Sequence, residues 1–323
     1  MSASGGTKAV VAALLANIGI AITKFVAWML TGASSMLAEA IHSVADSGNQ
    51  ALLLLGGRRA RREATEEHPF GYGRERYIYA FIVAIVLFSV GGLFALYEAF
   101  HKYEQVHAGE EDRLLTGGLG WVPILVLSIA IVMESFSFRT AIVESNHVRG
   151  RQSWVQFVRT AKAPELPVVL LEDLAALLGL IFALVGVGMS LLTGNAYWDV
   201  GGTVAIGVLL VVVAVVLAVE TKSLLLGEGA SPSAVARIRA ALEAEPAIER
   251  VIHMKTLHLG PDELLVAAKV GVHRTDSAAE VAAAIDGAER RVREAEPVAR
   301  LVYLEPDIYR AEASVPEGDA PAR

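Results

Sequence analysis

Apolar residues fill most of the first two thirds of the chain, in runs too long for the core of a soluble protein. A helix needs roughly 20 apolar residues to cross a bilayer, and six runs reach about that length. The polar and charged residues collect in the short segments between the runs. This pattern predicts six transmembrane helices, at about 8–30, 35–57, 76–100, 119–141, 166–192 and 199–221.

The pattern changes after about residue 225, where charges become frequent and apolar runs shorten to strand length. Residues 228–323 hold 12 Lys and Arg against 17 Asp and Glu, which is typical of an acidic soluble domain. The pattern predicts a helix from Ser231, two strands around a turn at 260–262, a second helix with Ser277 as its N-cap, and a third strand at 300–307. Helices packed on one face of a small sheet are the expected α+β fold.

These two regions define the predicted domain organisation. Residues 1–222 form a six-helix transmembrane domain, and residues 223–311 form an α+β domain with a regulatory or dimerising role. The last residues, 312–323, are rich in Pro, Gly, Asp and Ala and are expected to be disordered.

Charge and composition narrow the class of protein further. The chain has no cysteine, which excludes disulfides and thiolate metal sites and leaves His, Asp and Glu as metal ligands. A net charge of −7 argues against nucleic acid as a partner. The loops after the second and fourth helices are rich in arginine, whereas the loop after the third is acidic. The positive-inside rule therefore predicts a multi-pass protein of the cytoplasmic membrane with both termini in the cytoplasm.

The second helix carries a polar stripe that contains His42 and Asp46, one helical turn apart. Glu39, Ser43 and Asn49 continue the stripe at helical spacing. Ionisable groups are costly inside a membrane and usually line a bundle interior or an ion path. An imidazole and a carboxylate together suit a divalent metal, although a structural polar pair between packed helices is the alternative reading.

A second acidic pair, Glu172 and Asp173, lies in the fifth helix at a similar depth. Asp46 precedes Arg58 by about 18 Å of helix, and Asp173 follows Lys162 by about 16 Å. Both positions therefore fall near the middle of a core that is roughly 30 Å thick.

Adjacent helical residues point about 100° apart, so Glu172 and Asp173 cannot face the same partner. One of them is expected to complete a site with His42 and Asp46. The other needs a different neighbour, for which Glu134 in the fourth helix is a candidate.

The first helix offers two side chains, Asn17 and Lys24, that are candidates for neutralising buried charge. Lys24 is expected to extend toward a membrane interface. Glu39 is expected to face a water-filled mouth at the outer end of the second helix.

The chain resembles the cation diffusion facilitator (zinc transporter) family. The resemblance rests on TGASSMLAEAIHSVADSGNQ in the second helix, HPFGYGRER in the following loop, the charged pair in the fifth helix and the α+β tail, and it extends from about Lys8 to Asp307. The branch that includes the ninth human zinc transporter is the most similar. The resemblance implies a cytoplasmic ferredoxin-like tail, a homodimer, and export of Zn2+, or of Mn2+, Fe2+ or Co2+, in exchange for protons. The metal is then the transported substrate, no tightly bound cofactor is expected, and the chain is not an enzyme.

The resemblance also implies a transport site. His42 and Asp46 fill the family's positions in the second helix, and Asp173 fills the first position in the fifth. Leu177 stands where the family usually has a second Asp, so Glu172 is expected to supply the missing ligand. A ligand set of one imidazole and two or three carboxylates is chemically harder than that of a typical zinc site, so Mn2+ and Fe2+ are alternative cargoes.

Two further histidines match metal positions of the family less completely. His68 lies in the loop after the second helix, but Tyr72 stands where a second His is common, and a loop histidine in a turn is the alternative. His253 lies in the tail, with Ala268 and Tyr303 where further ligands would be expected.

Proton-coupled efflux of a divalent cation by alternating access is the leading functional hypothesis, because loading a site of imidazole and carboxylates releases protons. An intramembrane metal-dependent hydrolase is an alternative, although the chain has no HExxH pattern. A sensor or scaffold that its helices merely anchor in the membrane is a third class. The buried acidic residues argue against it, because an anchor does not need them.

Overall fold

The computed structural model describes residues 18–309. This part of the chain divides into two compact units, residues 18–63 with 74–225 and residues 64–73 with 226–309. The segment between the second and third helices thus groups with the C-terminal elements. The domain boundaries at 1–222 and 223–311 stay predictions, and the expected disordered end at 312–323 lies outside the described residues.

The first unit is built from long helices that follow the order of the apolar runs. A π-helical segment, Leu87–Leu93, interrupts the third helix, and short helices at Arg113–Thr116 and Trp154–Thr160 precede the fourth and fifth. The long helices are α1 (Ile18–Thr31), α2 (Ser34–Arg59), α3 (Glu75–His107), α4 (Trp121–Arg149), α5 (Glu165–Thr193) and α6 (Tyr197–Leu226).

Four of these helices, α3 to α6, are long and apolar enough to cross a membrane. The described part of α1 is apolar but shorter, because residues 8–17 of the predicted span lie outside the described range. The length of α2 suffices, but its polar stripe makes it less apolar than the other four. The described residues therefore support four of the six predicted crossings, and the six-helix arrangement is not confirmed.

The start of α2 is fixed by a side chain from α6. Gly32 turns the chain after α1 in a left-handed conformation, with φ of 68°, and α2 begins two residues later. Its first backbone N–H groups, from Ser34 and Ser35, donate to the buried carboxylate of Asp199 at 2.8 and 3.3 Å, and the Ser35 hydroxyl donates to it as well. A carboxylate at a helix N-terminus satisfies otherwise unpaired donors and complements the helix dipole.

Helices α5 and α6 approach closely where both carry glycine. A Cβ at Gly186 would lie 2.9 Å from the carbonyl oxygen of Trp198, and a Cβ at Gly202 would lie 2.8 Å from that of Phe182. Small residues at such crossings let the backbones of membrane helices pack tightly. The crossing holds α5, which carries the second acidic pair, against the same helix that caps α2.

The second unit contains the five elements that the sequence predicts, in the same order. They are α7 (Pro232–Glu243), β1 (Ile248–Gly260), β2 (Glu263–Val272), α8 (Ala278–Ala295) and β3 (Leu301–Asp307). Strand β2 lies in the centre, antiparallel to β1 and parallel to β3. Ser277 caps α8 as predicted, and its backbone N–H and hydroxyl, which donate to Glu280, lower the pKa of that carboxyl.

The helices of the second unit cover one face of the sheet. Ile238 on α7 and Val292 on α8 are fully buried against Val266 and Val270 of β2. The opposite face is open, and Tyr303 on β3 is 56% exposed there. The predicted α+β arrangement is confirmed in this form, whereas the three strands seen in the described residues do not establish a ferredoxin-like fold.

Replacing Asp199 should destabilise the helical unit. Asp199→Ala leaves two backbone N–H groups and a hydroxyl without their acceptor, at a cost of about 2–3 kcal/mol. The unfolding temperature of the full chain in detergent should fall, and it should fall less for Asp199→Asn, which keeps the shape and one acceptor oxygen. An unchanged unfolding temperature for Asp199→Ala would contradict the capping role.

Candidate metal site

The polar stripe of α2 faces the interior of the helical unit. Glu39 and Asn49 are fully buried, His42 is 1% exposed, and the side chain of Asp46 is partly exposed. Nδ1 of His42 lies 3.4 Å from Oδ1 of Asp46, as expected for residues one helical turn apart. The stripe therefore presents an imidazole and a carboxylate side by side in a buried position.

Helix α5 adds Glu172 to this stripe. Nδ2 of Asn49 donates to Oε1 of Glu172 at 2.8 Å, and the carboxyl group of Glu172 lies within electrostatic range of that of Asp46. Glu172 of α5 is thus a neighbour of both Asn49 and Asp46 on α2.

Asp173 points in a different direction, toward α4. Its Oδ2 accepts a hydrogen bond from the Ser137 hydroxyl at 3.0 Å, and Glu134, one turn earlier on α4, lies within electrostatic range of it. This is the divergence that adjacent helical positions impose. Within residues 18–309, no three His, Asp or Glu side chains are placed to hold a metal ion, and the assignment of His42, Asp46, Glu172 and Asp173 as ligands stays a prediction.

Several atoms of the stripe are buried without a hydrogen-bond partner in the described part of the chain. They are Nε2 of His42, one carboxylate oxygen of Glu39 and the amide oxygen of Asn49, together with Nδ1 of His42 and Oδ1 of Asp46, which lie 3.4 Å apart without forming a hydrogen bond. Unsatisfied polar groups are costly in an apolar interior, and native proteins rarely leave them so. A row of such atoms on one helix face therefore indicates a polar occupant such as a cation or water.

Lys24 corrects two interpretations of the sequence. It does not extend to a membrane interface: it is 3% exposed, and its Nζ donates to Oε2 of Glu39 at 3.0 Å and to the Ser43 hydroxyl at 2.7 Å. Glu39 is correspondingly enclosed and does not face a water-filled mouth. The signal that could have shown this pair is the presence of opposite charges in two neighbouring apolar helices. Asn17, the other candidate of the first helix, lies outside the described residues.

The loop histidine, His68, is exposed and lies in a turn. Its backbone N–H donates to the Thr65 hydroxyl, its carbonyl accepts from Gly71, and its ring packs edge-on against Tyr72 with centroids 4.7 Å apart. These contacts account for the residue in the turn, and a metal role for it stays a prediction.

The tail histidine, His253, lies on the open face of the sheet beside a cavity of about 260 Å³ that Tyr303 and Glu305 also line. Its cross-strand neighbour is Lys269, whose ammonium lies 3.0 Å from carboxylates of Glu305 and Asp307. These hydrogen bonds raise the pKa of Lys269, which keeps a positive charge beside His253. A metal site at His253 stays a prediction, and the neighbouring ammonium disfavours one.

Comparison with known proteins identifies the family. Residues 10–226 match the family model described as the cation efflux transmembrane domain. The chain belongs to the cation efflux family. It is 33% identical over 273 residues to the mitochondrial proton-coupled zinc antiporter SLC30A9 of Xenopus laevis, a match that covers 84% of this chain and 47% of the relative. It is 31% identical over 268 residues to the SLC30A9 protein of Homo sapiens, a match that covers 82% of this chain and 46% of the relative. It is also 25% identical over 265 residues to metal tolerance protein C4 of Arabidopsis thaliana, covering 81% of this chain and 56% of that one.

These relatives confirm the resemblance to the cation diffusion facilitators and to the branch of the ninth zinc transporter. The SLC30A9 relatives are named as antiporters, and the prediction that the chain is not an enzyme is confirmed by this family membership. The chain spans about half the length of the SLC30A9 relatives that it matches.

The predicted location in the cytoplasmic membrane is wrong. The finding that overturns it is the name of the SLC30A9 relatives, which describes those proteins as mitochondrial. The positive-inside rule orients helices relative to charge and carries no information on which membrane receives them. The prediction of a multi-pass membrane protein is supported, because the described residues include four apolar helices of spanning length.

Proposed function

We propose that this cation efflux protein exports divalent transition-metal cations in exchange for protons, with Zn2+ as its principal cargo. The observation that carries the proposal is a row of buried polar atoms on α2 that have no hydrogen-bond partner among the described residues and that lie beside Glu172 of α5. In this proposal α1 and α2 complete six crossings, so that both ends of the chain lie on one side of the membrane, and the tail is ferredoxin-like.

The chemistry of the site favours exchange of metal for protons. Asp46 and Glu172 lie within electrostatic range of each other, and a proton or a cation between two neighbouring carboxylates relieves their repulsion. A divalent cation binds ionised carboxylates and a neutral imidazole, so loading the site expels protons. Rocking of the helices around such a site would then carry metal in one direction and protons in the other.

The ligand set supports zinc and keeps harder ions as an alternative cargo. His42 supplies an imidazole, which suits Zn2+, and the relatives' names specify zinc. Asp46 and Glu172 are hard oxygen ligands, which suit Mn2+ and Fe2+ as well. The geometry favours Glu172 over Asp173 as the contribution of α5, because Asp173 bonds to Ser137 on α4.

We also propose a homodimer in which the tail and the neighbouring helix ends meet a second copy. The support is the open face of the sheet, where Tyr303 is exposed while the opposite face packs against α7 and α8. A tail of this size buries a small core, and a twofold partner is the common way to cover such a face.

Measurements of zinc flux in single variants can separate the roles of Asp46, Glu172 and Asp173. Asp46→Asn and Glu172→Gln should each reduce zinc flux into proteoliposomes by about 100-fold or more, because each removes a charge and an oxygen ligand from the site. Asp173→Asn is the matched control on α5 and should retain flux within about threefold, since its amide can still accept from Ser137. Wild-type flux in Asp46→Asn would remove the stripe from the mechanism, and equal losses in Asp173→Asn and Glu172→Gln would make both residues of the pair necessary.

The imidazole should set the choice of metal. Replacing His42 by Asp exchanges a nitrogen ligand for a hard oxygen, so the ratio of Mn2+ to Zn2+ flux should rise by about tenfold. The measurement compares Zn2+, Mn2+, Fe2+ and Co2+ side by side in the wild type and in His42→Asp. A metal profile identical to that of the wild type would show that His42 does not contact the cargo.

The dimer proposal predicts that a charge on the open sheet face separates the copies. Tyr303→Asp should shift the detergent-solubilised full chain from dimer to monomer in light scattering, because it places an unpaired carboxylate at the centre of the contact. Arg239→Asp introduces the same side chain on α7, on the covered side of the sheet, and should leave the dimer intact. A wild type that is monomeric at all concentrations would contradict the dimer, and a dimer unchanged by Tyr303→Asp would locate the contact elsewhere.

A further inference from the structure

Lys24 is enclosed between α1 and α2 and cannot move freely. Its ammonium has three N–H groups and three acceptors: Oε2 of Glu39 at 3.0 Å, the Ser43 hydroxyl at 2.7 Å and the backbone carbonyl of Glu39 at 3.5 Å. Glu39 and Ser43 are one helical turn apart, and His42 lies between them in the sequence. The ammonium is therefore held at a defined position along the polar stripe.

Helix α5 closes over this ion pair. A Cβ at Gly179 would lie 2.6 Å from Oε1 of Glu39, so a larger residue there would push the carboxylate aside. Burying a lysine and a glutamate between membrane helices is costly, and a well-packed apolar pair would stabilise the same contact at least as well. Stability alone does not account for the pair, and its position indicates a role in the neighbouring site.

The ammonium is the part of the pair that lies along the stripe beside the site. Nζ of Lys24 donates to Ser43, the residue after His42, whereas Oε1 of Glu39 is turned toward Gly179 of α5. The ammonium also lies within electrostatic range of His42 and Asp46, two of the residues that would hold the cargo.

We propose that the ammonium of Lys24 is a fixed positive charge that weakens the binding of divalent cations at His42, Asp46 and Glu172. This inference rests on the proposed function. Two positive charges repel strongly where water is scarce, so the ammonium offsets part of the attraction between the cargo and the buried carboxylates. Transport requires a site that binds strongly enough to load and weakly enough to release, and a tethered cation meets that requirement without taking a ligand position.

Neutralising Lys24 should tighten metal binding and slow release. Titration of the purified full chain in detergent with ZnSO4 should give a dissociation constant about tenfold lower for Lys24→Met and for the double variant Lys24→Met with Glu39→Gln. In proteoliposomes the same variants should show a lower KM and a lower maximal rate of zinc flux. Lys24→Arg keeps the charge and should restore the wild-type affinity.

Lys102 offers a matched control. Its ammonium is also buried, 2.9 Å from the carboxylate of Asp112 and 3.3 Å from the carbonyl of Gly32, and neither partner belongs to the candidate site. Lys102→Met removes the same charge from a comparable buried pair and should leave the zinc affinity within about twofold of the wild type.

The double variant decides between a charge effect and a structural effect. It leaves no unpaired charge, so it should fold even if Lys24→Met alone does not. A zinc affinity in the double variant equal to or weaker than that of the wild type would overturn the inference and leave Lys24 as a support for Glu39. If the wild type neither binds zinc nor carries Zn2+, Mn2+, Fe2+ or Co2+, the proposed function itself fails, and the inference fails with it.

Discussion

The cost of placing ionisable side chains among apolar helices governs the structure of the helical unit. Each buried charge needs a partner, and the partners come from other helices: Asp199 of α6 caps the start of α2, Lys24 of α1 pairs with Glu39, and Asn49 of α2 donates to Glu172 of α5. These contacts fix α1, α5 and α6 around α2. The atoms of the stripe that have no partner among residues 18–309 mark the candidate site, because a metal ion, a proton or water would satisfy them.

The third helix meets this site through its least regular segment. The π-helical turn at Leu87–Leu93 packs beside α2, and a Cβ at Gly91 would lie 3.9 Å from Nδ1 of His42. π-Helical turns are rare and often occur at functional sites, since they leave carbonyls and helix axes displaced from the regular pattern. The irregular backbone of α3 therefore lies beside His42, one of the proposed ligands.

The tail is stabilised differently from the helical unit, mainly by the packing of apolar side chains. Its core lies between two helices and one face of a three-stranded sheet, and the other face presents Tyr303 together with the ion pairs of Lys269. A positive charge beside His253 suits a surface that contacts another protein better than it suits a cation site. The chemistry of the proposed transport therefore belongs to the helices.

The sequence by itself determined the order of the helices and strands, because apolar run length and helical or alternating spacing are local properties of the chain. It also determined the Ser277 cap and the inward polar stripe with His42 and Asp46, since a helix places residues four apart on one face. Only the tertiary structure decided that Glu172 joins this stripe while Asp173 turns to Ser137, because the rotation of α5 depends on its glycine crossing with α6. The partner of Lys24 was also decided only by the tertiary structure. A lysine side chain is long enough to reach either a membrane interface or a buried carboxylate, and the packing of α1 against α2 places its ammonium on the carboxylate of Glu39.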